Sequence, residues 1–221
     1  MAVTRDTTDV ISVAAQDPDP QVIARAAEVV REGGLVVLPT DTVYGLVCDP
    51  RQTAAVDRIY AVKQRSRDLP LVLLLHSTAQ VGAFIEDVPP LAVRAMQEFW
   101  PGALTAVLRD CSPATEPLRA CRETIGLRLP AHLVPRLVAE ETGGALASTS
   151  ANLSGEDSPT TAEQAREQLD GLVNLILDAG PTPYAHASTV VDFTATPPHV
   201  LRSGAITVAR LREVLGEVRE K

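Results

Sequence analysis

The chain alternates short apolar runs with amphipathic stretches. DPDPQVIARAAEVVREGG places Val22, Ile23, Ala26, Ala27, Val29 and Val30 at helical spacing, and Gly33-Gly34 supplies the stop. LVVLPT follows as a strand. Further β-branched-rich runs at 71–75, 104–109, 125–130, 145–149, 172–178, 188–193 and 199–203 predict strands, and helical patterns at 53–65, 90–100, 133–144, 161–171 and 206–220 lie between several of them. Interleaved strands and helices predict an α/β fold: a twisted sheet with flanking helices. The strands clustered near 104–130 and 188–203 make the expected pairing mixed. With no internal repeat or linker, the expected organisation is a flexible N-terminal arm over residues 1–15 and a single domain over 16–221.

Composition narrows the class. Hydrophobic residues are 45% and charged residues 22%, too apolar for disorder, and the 3% of aromatics leaves core filling to aliphatic side chains. The formal net charge of −8 argues against non-specific attraction to phosphate backbones or anionic lipid, so any anion site must be local. Cys48, Cys111 and Cys121 contain no CxxC pair and leave one thiol unpaired under any bridge. A reducing compartment follows. No secretory leader pattern opens the chain and no apolar run reaches about 18 residues, so the expected location is the cytoplasm, without a membrane partner. There the Asn152-Leu153-Ser154 sequon has no role.

Polar residues gather at strand ends, where α/β folds build ligand sites. Pro39-Thr40-Asp41-Thr42 follows a buried strand and by itself reads as a turn with locally bonded hydroxyls. Lys63, Arg65 and Arg67 stand at alternate positions at a helix end. They complement the helix dipole or, on an extended chain, converge on a polyphosphate. Thr124, Gly126 and Arg128 share a strand face, and Arg there reads as a snorkelling residue or an anion ligand. STSAN (148–152) has no evident structural role, whereas Thr160 or Thr161, with Glu163 or Gln164 three residues on, forms a capping box. Ser188 and Asp192 face Leu201-Arg202-Ser203 across a second strand pair, with Asp192 and Arg202 able to neutralise each other.

What is missing matters too. The sequence has no GxxxxGK[ST] loop, no GxGxxG after a strand, no metal spacing among its histidines and no GxSxG elbow. Arg, Lys, Ser, Thr and Asn without acid/base pairs suit the holding of anions and the stabilisation of developing negative charge.

Taken in order, PTDTVYGL, KxR, FWPGALT, GLRLP, STSANLSG, STVVD and LRSG closely resemble the threonylcarbamoyl-AMP synthase (YrdC/Sua5) family, from about residue 20 to residue 210. The length resembles the short form, without the C-terminal Sua5 domain. The resemblance implies a single YrdC-like catalytic domain with a concave basic cleft. It also implies conversion of L-threonine, bicarbonate and ATP to L-threonylcarbamoyladenylate and pyrophosphate, a nucleotidyl transfer that opens threonylcarbamoyl modification of adenosine 37 in tRNA. A threonylcarbamoyl transferase machinery acting on tRNA would take the product. Carried over by motif, Lys63 and Arg65 are the catalytic cations on the ATP phosphates. Thr124, Asn152, Thr160 and Arg202 are nucleotide contacts, while Thr42, Arg128, Ser150 and Ser188 are threonine contacts. ATP is the cosubstrate, with Mg²⁺ expected on its phosphates and no protein metal site. Two departures stand out: Ser66 occupies a position that is often proline, and Leu74 one where the family has a histidine, with His76 two residues later. The rival from another class is a non-catalytic module that binds double-stranded RNA in the same cleft, against which the acidic charge and scarce aromatics argue. A carbamoyl-adenylate enzyme of the hydrogenase-maturation type would carry further domains.

Overall fold

The computed structural model describes residues 8–110, 112–120 and 122–220, so Cys111 and Cys121 lie outside the described residues. Among the described residues six α-helices accompany one sheet. In chain order the elements are β1 (Asp9–Ser12), α1 (Pro20–Arg31), β2 (Val36–Leu38), β3 (Gly45–Cys48), α2 (Thr53–Lys63), β4 (Val72–Leu74), α3 (Pro90–Phe99), β5 (Leu104–Arg109), β6 (Thr124–Arg128), α4 (Leu133–Glu141), β7 (Leu146–Ser150), α5 (Ala162–Leu169), β8 (Leu175–Asp178), β9 (Thr189–Asp192), β10 (His199–Arg202), α6 (Val208–Leu215) and β11 (Arg219–Glu220). Two short 3-10 helices, Thr78–Ala83 and Pro113–Leu118, complete the order.

All 11 strands join in the order β1-β8-β2-β3-β7-β4-β6-β5-β9-β10-β11. Pairing is mixed, as expected: β4 runs parallel to β6 and β5 to β9, whereas β7 is antiparallel to both β3 and β4. Strand alternation divides the core in two. Val36 and Leu38 of β2 and Leu146 of β7 pack with Ile23, Ala26, Ala27 and Val30 of α1 and with Val134 and Val138 of α4. Val37 and Ala147 point the other way, into the larger cluster that also takes Ile59, Ala95, Leu169 and Leu211 from α2, α3, α5 and α6. Each fully buried aliphatic side chain contributes about 1.5–3 kcal/mol, so two aliphatic layers can hold the sheet without many aromatics.

The N-terminal expectation needs correcting. Residues 9–12 are no part of a free arm: β1 pairs in parallel with β8, Val10 opposite Ile176. Only two apolar residues in DVIS left this strand too weak a signal, and its stability comes from the neighbouring LILD strand. The arm's first seven residues lie outside the described residues. At the other end, the helix expected over 206–220 stops at Leu215, where Gly216 adopts φ 78° and releases Arg219–Glu220 to pair with β10.

Helices α1 and α4 cover only one part of their sheet face. Its other part is the floor of a cleft, and the register shows why it stays open. The row Ser148, Val72, Gly126, Val107 and Asp192 crosses β7, β4, β6, β5 and β9, with Gly45 opposite Ser150 beside it. Glycines and serines keep this surface low. A Cβ on Gly126 would lie 3.2 Å from Thr105 Cγ2 and 3.3 Å from Val72 Cγ2.

Candidate active site

The cleft encloses about 480 Å³. Thr42, Arg65, Thr124, Arg128, Ser150, Ser188 and Arg202 all line it, drawn together from the β2–β3 turn, the α2–β4 loop, strands β6, β7 and β10 and the residue before β9. That volume suits a small ligand with one extended substituent.

At the inner end, the PTDT turn does two things. Thr40 Oγ1 donates to the Val43 carbonyl at 2.7 Å and accepts from Thr42 N at 3.0 Å, which is the local hydroxyl bonding expected of a turn. Asp41 and Thr42 instead face Arg128. The guanidinium donates from Nη2 to Asp41 Oδ1 at 2.8 Å, from Nη1 to Thr42 Oγ1 at 2.7 Å and from Nε to the Gly102 carbonyl at 3.0 Å. Arg128 is therefore fixed inside the cleft, not snorkelling. Burial lowers its pKa and Asp41 opposes that shift. Three of its five N–H groups are used, leaving two for a ligand.

Ser188 anchors the neighbouring wall. Its hydroxyl shares a 2.8 Å hydrogen bond with Thr105 and accepts from Arg202 Nη2 at 2.9 Å, while its carbonyl accepts from Arg202 Nε and Nη2. The expected Asp192–Arg202 neutralisation does not form. The bulge in β10 between Val200 and Arg202 sets Arg202 opposite Val190, and Asp192 turns its Oδ1 to Thr194. Arg202 thus keeps its charge for the cleft. Its pKa is lowered, first by burial and then by the Arg128 and Arg65 guanidiniums, so these cations lie close enough to repel one another. Arg65 is held at the rim through the Leu69 and Pro70 carbonyls, and burial lowers its pKa as well. A bound anion would relieve this repulsion.

Two lining residues escaped the sequence reading. Arg122 adds a further cation at the outer end, and Thr105 orients Ser188 from β5. Asp41 was visible only as a turn residue, because its partner Arg128 lies 87 positions away.

Lys63, Asn152 and Thr160 do not line the cleft. The alternate-position convergence of Lys63, Arg65 and Arg67 fails because the chain there is not extended. Gln64 is left-handed (φ 50°, ψ 39°), sending Lys63 inward, Arg65 to the rim and Arg67 onto the Tyr60 ring and Asp57. The Lys63 ammonium donates to the Ser150 and Asn152 carbonyls, with Asn152 Oδ1 at 3.3 Å. Asn152 Nδ2 braces the following loop through the Leu153 and Glu156 carbonyls. Thr161 is the N-cap of α5, and Gln164 reaches back to Thr160 N and Oγ1, so the capping reading accounts for Thr160. His76 is not among the residues lining the cleft, whereas Leu74, the last residue of β4, is; the His76 backbone bonds Gln80 and Arg136.

The α/β sheet thus carries, on its open face, a hollow lined by guanidiniums and hydroxyls, groups whose chemistry suits an anionic small molecule. The family model of the Sua5, YciO and YrdC proteins, described as "Telomere recombination", matches residues 28–204, and the chain belongs to that family. It is 40% identical to the threonylcarbamoyl-AMP synthase of Bacillus subtilis over 215 residues, covering 96% of this chain and 60% of that protein. A putative threonylcarbamoyl-AMP synthase of Mycobacterium leprae is also 40% identical, over 91% of this chain and 92% of the relative. Among solved structures, Pyrococcus abyssi Sua5 complexed with L-threonine superposes with a TM-score of 0.93 at 35% identity, over 97% of this chain and 63% of that one. The chain thus spans under two thirds of the Bacillus and Pyrococcus proteins.

Proposed function

We propose that this protein is a threonylcarbamoyl-AMP synthase, converting L-threonine, bicarbonate and ATP to L-threonylcarbamoyladenylate and pyrophosphate. The carrying observation is the cleft itself: Arg128, locked by Asp41 and Thr42, shares it with Arg202 and Arg65, close enough that the Arg128 and Arg65 charges lower the Arg202 pKa. An amino-acid carboxylate and a polyphosphate, brought together in one reaction, match such a cluster of guanidiniums. The names of the relatives support the same reading.

In the proposed reaction threonine's amine takes up CO₂ derived from bicarbonate, giving N-carboxythreonine. One oxygen of that new carboxylate attacks the α-phosphorus of ATP, forming the acyl-phosphate O–P bond. The bond from the α-phosphorus to the bridging oxygen breaks, and pyrophosphate leaves with the electron pair. Arg128, Thr42, Ser150 and Ser188 would hold threonine, whereas Arg65, Thr124 and Arg202 would hold the nucleotide and offset charge on the leaving group. No side chain needs to become covalently bonded.

The lining offers a single carboxylate, Asp192, and no group of three or more potential ligands among the described residues could hold a metal ion. This does not fit a protein-held Mg²⁺. An ion bound by the ATP phosphates agrees better with the lining, and no step here runs through it. Among the described residues no helix is long and apolar enough to cross a membrane. A tRNA-modifying machinery as consumer of the product, and a cytoplasmic place of action, belong to the same proposal.

The test is pyrophosphate release from ATP, with threonine and bicarbonate each omitted in turn. Release that needs both supports the proposal. RNA affinity that falls steeply with salt, without turnover, would favour the RNA-binding alternative.

A further inference from the structure

Lys63 ends α2, is 1% exposed and is not among the residues that line the cleft; its ammonium lies against the end of β7. Beyond Ser148, which faces Val72, β7 has run past the start of β4, so its last carbonyls leave the ladder on that side. Buried carbonyls need donors. The Lys63 ammonium supplies them, to the Ser150 and Asn152 carbonyls and to Asn152 Oδ1, while its own carbonyl accepts from Ser154 N at 3.0 Å.

An ammonium has three N–H donors and no acceptor. In the protonated form all three are engaged here, one by Ser150 at the end of β7 and two by Asn152 beyond it, so a phosphate oxygen could be bound only by displacing one of these bonds. On the other side of the same turn, Ala151 N donates to the Tyr44 carbonyl, and Ser150 sits opposite Gly45 on the cleft floor. The Ser150 hydroxyl makes no hydrogen bond among the described residues and lines the cleft. Its position depends on the turn that Lys63 closes.

We infer that Lys63 is a positioning residue, a clamp that fixes the Ser150–Asn152 turn for threonine, and not a ligand of the ATP phosphates. The substrate half of this inference rests on the proposed synthase reading. The clamp itself does not. Arg65, released to the rim by the left-handed Gln64, is then the member of the KxR pair that meets phosphate.

The experiment compares Lys63→Met, Lys63→Gln and Arg65→Ala with the unaltered chain in three readouts. Amide hydrogen exchange over residues 150–156 reports the clamp without substrate. Calorimetry with L-threonine alone, and with a non-hydrolysable ATP analogue alone, reports which half of the cleft each residue serves. Lys63→Met is expected to speed exchange at 150–156 with the rest of the sheet unchanged, and to weaken threonine binding about tenfold or more, the usual cost of losing bonds to a charged donor. Analogue binding should stay within about threefold. Lys63→Gln, with two N–H donors, should fall between and keeps the comparison alive if the Met variant does not fold. Arg65→Ala should do the reverse, weakening the analogue and leaving exchange and threonine binding unchanged. Lys63 variants that lose the analogue while exchange at 150–156 stays at the unaltered rate would overturn the inference. If the unaltered chain binds neither ligand, the synthase reading fails, and the exchange result still decides the clamp.

Discussion

Arg128 and Asp41 form a 2.8 Å ion pair in which both side chains are more than nine-tenths buried, at the inner end of an otherwise open cleft. A buried pair of this kind contributes little net stability by itself, because both charges are desolvated. Removing one partner is another matter. It strands the other charge in a low dielectric.

Asp41→Ala should therefore destabilise the fold by about 3 kcal/mol. It should also raise the KM for threonine, because Arg128 loses the contact that aims it. Urea unfolding and steady-state kinetics check both effects. A variant of ordinary stability with an unchanged KM would show that the pair orients nothing.

Gly126 keeps the cleft floor low, and a side chain there meets Thr105 and Val72 at once. Gly126→Val should cost at least about tenfold in kcat/KM, as a misplaced substrate does. Equilibrium binding of threonine and of an ATP analogue will show whether both substrates are displaced.

The architecture was largely readable along the chain, because long aliphatic runs and helical spacing report burial directly. α1, β5 and the α5 cap region fall where the pattern places them. What escaped was whatever depends on partners far away in sequence: β1, which needs β8, and the placing of Arg128 by Asp41 and Ser188 by Thr105. Lys63 escaped for a different reason. A single left-handed residue, Gln64, turns an alternating basic run in three directions, and Gln carries no signal for that conformation.

Burial, and secondarily the Arg65 charge, pull Lys63 down to about 7 from an unfolded value of 10.5. Across that window the unfolded chain binds more protons than the native one, so this group makes stability rise as the pH increases from about 7 toward 10.5. The same deprotonation removes one donor from the β7 turn. Threonine affinity should accordingly weaken as the pH passes upward through about 7 in the unaltered chain and stay flat in Lys63→Met. Calorimetric titrations at several pH values check this; parallel profiles in the two proteins would contradict it.

Cys48 lies in β3 in the larger core, where burial and then Asp49 raise its thiol to about 12. The thiolate is the reactive form, so native Cys48 should resist iodoacetamide at pH 8 and react after unfolding. Peptide mass mapping follows this cysteine by itself. Rapid native labelling would contradict its placement.

If one cleft joins threonine, bicarbonate and ATP, all three must appear in a single product. The most direct measurement is mass spectrometry of the adenylate formed from L-threonine, ATP and ¹³C-bicarbonate. The expected product is a threonylcarbamoyladenylate carrying the ¹³C label, formed by the unaltered chain and sharply reduced in Arg65→Ala. Pyrophosphate release without a labelled adenylate, or an adenylate lacking the label, would contradict it.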